Sequence, residues 1–176
     1  WINAGASVTK GLDLAASWTT QLGGNRLDTT LVATKMISAK EQLIEGTPNV
    51  QYVGQWSNTT LYLPWKVSLS GTYRVGDIES TLSMNYASDY QDDDHSTYTT
   101  LPQFQRRTVA SYTTFNLVGT YKGIKDLTVS AGLINLFDRQ PPFTWHNVDN
   151  VVGAGWDPRV ADPRGRTFTL SASYKF

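Results

Sequence analysis

The last ten residues constrain this chain more than any other feature: Phe168, Leu170, Ala172, Tyr174 and Phe176 alternate without a break with Thr167, Thr169, Ser171, Ser173 and Lys175. Successive side chains of a strand point to opposite faces, so this segment makes one face wholly apolar and the other hydroxyl-rich with a single charge. The pattern recurs upstream. Leu61, Leu63, Trp65, Val67, Leu69, Gly71 and Tyr73 oppose Tyr62, Pro64, Lys66, Ser68, Ser70, Thr72 and Arg74. Ile78, Leu82, Met84, Tyr86 and Tyr90 oppose Glu79, Thr81, Ser83, Asn85 and Asp89, and Val109, Phe115, Leu117 and Tyr121 oppose Thr114, Asn116, Thr120 and Lys122. Leu127, Val129, Ala131 and Leu133 continue the series, and Leu12, Leu14, Ala16 and Trp18 begin it. The stretch 27–40 is β-prone but alternates poorly, which leaves its facing open. Helical periodicity is absent.

These segments predict roughly seven strands of about ten residues, the length a tilted membrane strand requires. Their connections fall into two classes. Short ones at 21–26, 75–77 and 123–126 carry the Gly, Asn and Asp that tight hairpins need, while long ones run over 41–60, 91–107 and 136–166. Short turns at one rim and long loops at the other are the layout of a transmembrane antiparallel β-barrel of the bacterial outer membrane, with the loops outside.

A soluble β-sandwich would also show half-buried alternation. Two details favour the barrel. Trp18, Trp65, Tyr73, Tyr86, Tyr90, Phe115, Tyr121 and Tyr174 fall mostly toward strand ends on the apolar face, where interfacial aromatics sit, and the opposite faces are small and hydroxylated, as in a wet lumen. No apolar run approaches the ~18 residues of a membrane-spanning helix.

Charge and composition exclude other classes. Fifteen basic and fifteen acidic side chains cancel, so no global field argues for nucleic acid. Cys is absent, which removes disulfides and thiolate metal sites. Residues 1–5 carry no basic or apolar leader segment; the chain starts abruptly in strand, and the expectation is an internal piece of a longer protein.

Residues 132–143, GLINLFDRQPPF, and residues 155–176, GWDPRVADPRGRTFTLSASYKF, resemble the closing segments of TonB-dependent outer-membrane receptors, and GLDL at 11–14 is similar to a weaker strand motif further upstream in them. The resemblance covers the whole chain and is densest in the last ~45 residues. It implies an all-β barrel of about 22 strands around a plug, of which residues 1–176 are the C-terminal portion, about seven strands, without the plug and the first strands. It implies import of a scarce nutrient (siderophore, vitamin or oligosaccharide) rather than catalysis, with TonB engaged through the absent N-terminal region. It also implies that Phe168, Leu170, Tyr174 and Phe176 form the signal read by the barrel-assembly machinery, and that the partners are outer-membrane lipid and a small-molecule substrate. A piece with two unpaired edges would need the missing strands to fold stably.

Within the last long loop, Phe143, Trp145, His146, Asn147, Trp156, Asp157, Arg159 and Arg164 combine flat apolar faces with fixed polar groups, a mixture that grips sugars, chelates and carboxylates. Trp145, Trp156 and Arg159 are the candidate substrate contacts; Arg164 and Arg166 read as structural. Asp92, Asp93, Asp94 and His95 lack the geometry of a calcium loop and read as a solvated acidic segment. No Ser-His-Asp grouping or metal pair stands out, and no cofactor is expected. Lys66, Arg74, Glu79, Asp89 and Lys122 are expected on the lumenal face, where a plug would dock. The rival is a self-contained eight-stranded barrel of structural or adhesive role, which requires splitting the first strand at Lys10-Gly11.

Overall fold

In the computed structural model, which describes residues 5–42, 44–57, 60–92, 106–144 and 155–176, the strands are β1 (Ser7–Leu22), β2 (Asn25–Glu41), β3 (Val50–Gln51), β4 (Trp65–Val75), β5 (Ile78–Ala87), β6 (Tyr90–Gln91), β7 (Thr108–Val109), β8 (Tyr112–Ile124), β9 (Leu127–Ile134) and β10 (Thr167–Tyr174). Seven of them form an antiparallel meander in the order β1-β2-β4-β5-β8-β9-β10, with β3 added beside β2 and β6-β7 as a separate small ribbon.

Register turns the period-two pattern into rows that cross the sheet. Leu82 faces Gly71 on one side and Leu117 on the other, Leu117 faces Leu133, and Leu133 faces Phe168. One residue along, Thr81 lies between Thr72 and Val118, and Val118 faces Gly132. A slip of one residue would swap the faces of a whole strand, so the alternation fixes the pairing.

The apolar face is left uncovered. Phe168 and Leu170 stay 76% and 80% exposed, and Leu12, Leu14, Trp18, Leu82 and Tyr174 are exposed with them. A soluble sheet buries such a face against a second layer, at about 1.5–3 kcal/mol per large side chain. No second layer exists among the described residues. The buried core is instead a small cluster of Leu63, Tyr90 and Val109, edged by Trp56, Leu61, Ala87 and Val160.

Short turns close the other end: Gly23-Gly24 with φ of 58° and 81°, Gly76 at 53°, and Asp126 at 59°. These are the left-handed conformations that tight hairpins demand.

The structure refines several expectations. Residues 27–40 belong to one continuous strand, β2, whose Leu27, Leu31 and Ala33 lie on the apolar face opposite Tyr73, Leu69 and Val67. The sequence hides this because Val32 takes a polar-face position and because pairing with β1 jumps from Gly11↔Met36 to Lys10↔Ser38. Ile37 is therefore an extra, bulged residue that resets the phase. Strand β1 runs unbroken through Lys10-Gly11, and it does not pair with β10. The sheet is open, unlike the eight-stranded closed barrel. Tyr90, expected among the exposed aromatics, is buried in the loop cluster, as is Val109; β5 ends at Ala87, and Leu61 and Leu63 precede β4 rather than opening it.

Candidate functional site

At the loop end, the described parts of the three long connections, 44–57 and 60–64, 88–92 and 106–111, and 135–144 and 155–166, are tied together. The Trp56 amide donates to the Gln91 carbonyl and the Gln91 amide to the Gly54 carbonyl, each at 2.8 Å. Tyr90 packs below them. Burial, then the nearby charges of Asp157 and Asp92, push its phenol above the usual tyrosine value, with Arg159 opposing.

The loop 155–166 repeats one device. Asp157-Pro158-Arg159 and Asp162-Pro163-Arg164 each form an Asx-type turn, in which the Arg amide donates to the Asp Oδ1 two residues earlier, at 2.9 and 3.0 Å. Each guanidinium then folds back on the same carboxylate, Nη2 to Oδ2 at 2.7 and 2.5 Å. The first copy is buried, with the Asp157 side chain at 0% exposure and that of Arg159 at 28%, and Arg159 Nη1 also donates to the Ser57 carbonyl at 3.0 Å. The second copy is exposed; the Arg164 side chain and amide hold the Asp162 carboxyl down to about 2.

The segment Asn135-Leu136-Phe137-Asp138 is the hinge of the same loop. Asn135 and Asp138 both take φ of 53°. The Asn135 side chain accepts from the Arg139 amide and donates to the Arg139 carbonyl, at 2.8 and 3.0 Å. Asp138 Oδ1 accepts the Arg166 amide at 2.8 Å, which joins the start of the loop to the entry of β10. Gly165, with φ of 68°, allows this approach: a Cβ there would stand 2.7 Å from that same oxygen.

Beneath this block, the polar face forms a cavity of about 320 Å³ lined by Thr34, Lys66, Ser68, Asn85, Tyr112, Thr114, Arg159 and Val160 among others. Its neighbour, about 410 Å³, shares Tyr112, Thr114 and Val160 and extends toward Asn116, Asp162 and Arg164. Among the described residues, the first cavity has two cations and no carboxylate in its lining. Arg159 is committed to Asp157, whereas Lys66 is exposed on β4.

Trp156 is half-buried and lines the loop's own concavity rather than the cavity that Lys66 lines. Trp145, His146 and Asn147 lie outside the described residues, as do Asp93, Asp94 and His95. Phe143 is exposed, with the Arg107 guanidinium 4.9 Å from its ring centre. Arg159 is thus the one candidate contact that the structure sets at the cavity. The repeated Asp-Pro-Arg spacing was the available sign that its charge is answered within the chain.

At the hairpin end, a ladder of charges crosses the polar face. Arg74 bridges Asp28 and Glu79, Glu79 also accepts from Lys122 at 3.4 Å, and Asp28 accepts from Thr19 and Arg26. Such exposed pairs contribute about 0–1 kcal/mol each and chiefly set which side chains remain available. Arg74, Glu79 and Lys122 occupy the face expected of them; Asp89 lies past the end of β5.

Residues 1–136 match the family described as TonB dependent receptor-like, beta-barrel. Two crystal structures of mutants of the ferric enterobactin receptor PfeA from Pseudomonas aeruginosa share this fold. One, at 20% identity and a TM-score of 0.62, covers 97% of this chain and 22% of its own. The other, also at 20% identity, has a TM-score of 0.56 and covers 93% and 22%. The chain therefore spans about a fifth of the length of the receptors it matches. No curated protein matches it. The family match stops at Leu136, so the last forty residues, where the closing motifs are densest, rest on the structural match alone.

Proposed function

Since the chain belongs to the TonB-dependent receptor β-barrel family, whose members are transporters of the outer membrane, we propose that it is the C-terminal portion of a receptor that imports a scarce small molecule. The loop end lies outside the cell and the hairpins lie in the periplasm. The plug and the TonB-contacting segment belong to the rest of the protein. The exposed apolar face meets lipid, and Phe168, Leu170, Tyr174 and Phe176 on that face and at its end are the signal for the assembly machinery.

Among siderophores, vitamins and oligosaccharides, a ferric siderophore fits best. One observation carries this: among the described residues, the cavity under the loops sets the exposed Lys66 ammonium beside hydroxyl, amide and apolar side chains with no carboxylate in its lining, while the charge of Arg159 is answered by Asp157. Net positive charge among hydrogen-bonding groups favours an anionic, oxygen-rich chelate. The PfeA structures, of a ferric enterobactin receptor, point the same way. In this reading Arg159, Trp156 and Trp145, all from the last long loop, lie on the ligand's path, and Arg159 serves through the cavity wall it fixes.

The test is uptake of labelled ferric siderophores by cells lacking the native receptor and supplied with the full-length gene. Lys66→Gln should weaken binding about tenfold, the scale of one hydrogen bond to a charged group. Uptake of a neutral oligosaccharide or a vitamin, with no ferric chelate transported, would reject the siderophore assignment.

A further inference from the structure

The apolar face is almost free of charge, and its exceptions are concentrated. On β4, β5, β8, β9 and β10 the rows of this face run through Trp65, Leu69, Leu82, Phe115, Leu133 and Leu170 without a charged side chain. On β1 and β2 the same face carries Lys35 opposite Leu12, Lys10 opposite Ser38, and Lys40 opposite Val8. All three are exposed, and all stand at the loop end. The acidic residues of these two strands, Asp13, Asp28 and Glu41, alternate onto the other face.

Geometry makes the three a column. Strands β1 and β2, at 16 and 17 residues, outlast β4 at 11 and β10 at 8, so the hairpin continues beyond the last rung shared with β4, Lys35↔Trp65. Each of Lys35 and Lys40 is a diagonal neighbour of Lys10, at roughly 7–8 Å between backbones, which lets two flexible side chains converge on one anion. The bulge at Ile37 bends the strand between them. At the foot of the column the Lys35 ammonium lies 5.1 Å from the Trp65 ring centre, an aromatic of the kind that marks the boundary between acyl chains and headgroups.

We propose that this column binds the phosphates of a phosphorylated glycolipid in the outer leaflet. The inference rests on the membrane placement above. Below Lys35, Leu12, Leu14 and Leu31 contact the acyl chains; above Trp65, Lys35, Lys10 and Lys40 rise through the phosphate layer. Charge complementarity selects this occupant, since a neutral or cationic partner would leave three ammonium groups unanswered on an otherwise apolar face.

The test uses the full-length receptor purified from outer membranes in mild detergent, with bis-phosphorylated lipid A as the probe and native mass spectrometry as the readout. The triple variant Lys10→Gln, Lys35→Gln, Lys40→Gln should lose affinity on the order of a hundredfold, about fivefold per lysine. The three Lys→Arg changes should preserve it, and Lys125→Gln at the opposite rim should not alter it. Equal lipid A binding by wild type and the Gln triple variant overturns the proposal, as does equal binding of dephosphorylated lipid A. Stabilisation by inorganic phosphate matching that by lipid A would also overturn it, as a site for free anion. A wild-type receptor absent from the outer membrane would fell the parent reading too, whereas correct membrane placement with charge-independent lipid binding fells this inference alone.

Discussion

Replacing Arg159 by Ala tests whether the loops are held as a block by the buried Asp157-Arg159 fork. The Asp157 side chain has no exposure, and Arg159 supplies its side-chain fork as well as a bond to the Ser57 carbonyl. Removing one member of a buried pair costs about 3–5 kcal/mol; the lower end applies, since Arg159 itself keeps 28% exposure. About 3 kcal/mol off the local opening free energy is roughly a hundredfold in exchange rate. Hydrogen exchange measured by mass spectrometry on the intact receptor should therefore show the Trp56 and Gln91 amides, which bridge two loops, exchanging roughly a hundredfold faster. Ladder amides of β4 and β5 should be unaffected. Adding Asp157→Asn to Arg159→Ala removes the stranded charge and should cut the acceleration to below about tenfold. If the single variant changes Trp56 and Gln91 exchange by less than about threefold, the guanidinium is not what holds the loops, and its role lies with ligand alone.

Leu117→Arg, near the middle of the apolar face, should destabilise the receptor in bilayers by about 2–4 kcal/mol, while Ser83→Arg on the polar face should cost much less; urea titration in liposomes reads both, and equal effects would reject the facing. Gly165→Ala forces a Cβ toward Asp138 at a left-handed φ of 68° and should lower stability by about 1–3 kcal/mol, seen as an earlier urea midpoint. Tyr90 is an acid whose folded form favours the neutral phenol, so its contribution is full below the unfolded value of 10.0 and declines as pH rises above it. Trp fluorescence should show the wild-type loops loosening in strong alkali, and Tyr90→Phe should remove that part of the pH dependence.

Most of the wall was legible because a strand's facing is written in its own alternation. Pairing then only aligned rows such as Leu82 with Leu117 that the sequence had already sorted. Legibility failed where a local event changes phase or destination. The bulged Ile37 and the polar-face Val32 blur β2, and no single-strand pattern announces a bulge. Tyr90 and Val109 keep the parity of the apolar face, yet the chain leaves the sheet before one and enters it after the other; burial in a loop core depends on partners far away in sequence, here Leu63 and Val160. Arg159 reads as a candidate ligand contact because cations among aromatics often are, and only the Asp-Pro-Arg spacing hints that its guanidinium also forks back onto Asp157. Trp145, the third candidate contact, lies outside the described residues.

The polar wall answers many of its own hydroxyls. Thr72 pairs with Thr81 and Thr120 with Ser130, each at 2.9 Å, and Ser68 donates to Asn85 at 3.1 Å. A donor already engaged by its neighbour across the ladder offers a passing molecule little to cling to, and asks little of it when it leaves. Such a surface has low friction: a solute moving along it exchanges water for water rather than breaking one strong bond after another. Among the described residues, such a stretch of answered hydroxyls lies between two charged zones, Lys66 at the loop end and the Arg74-Glu79-Lys122 ladder at the hairpin end.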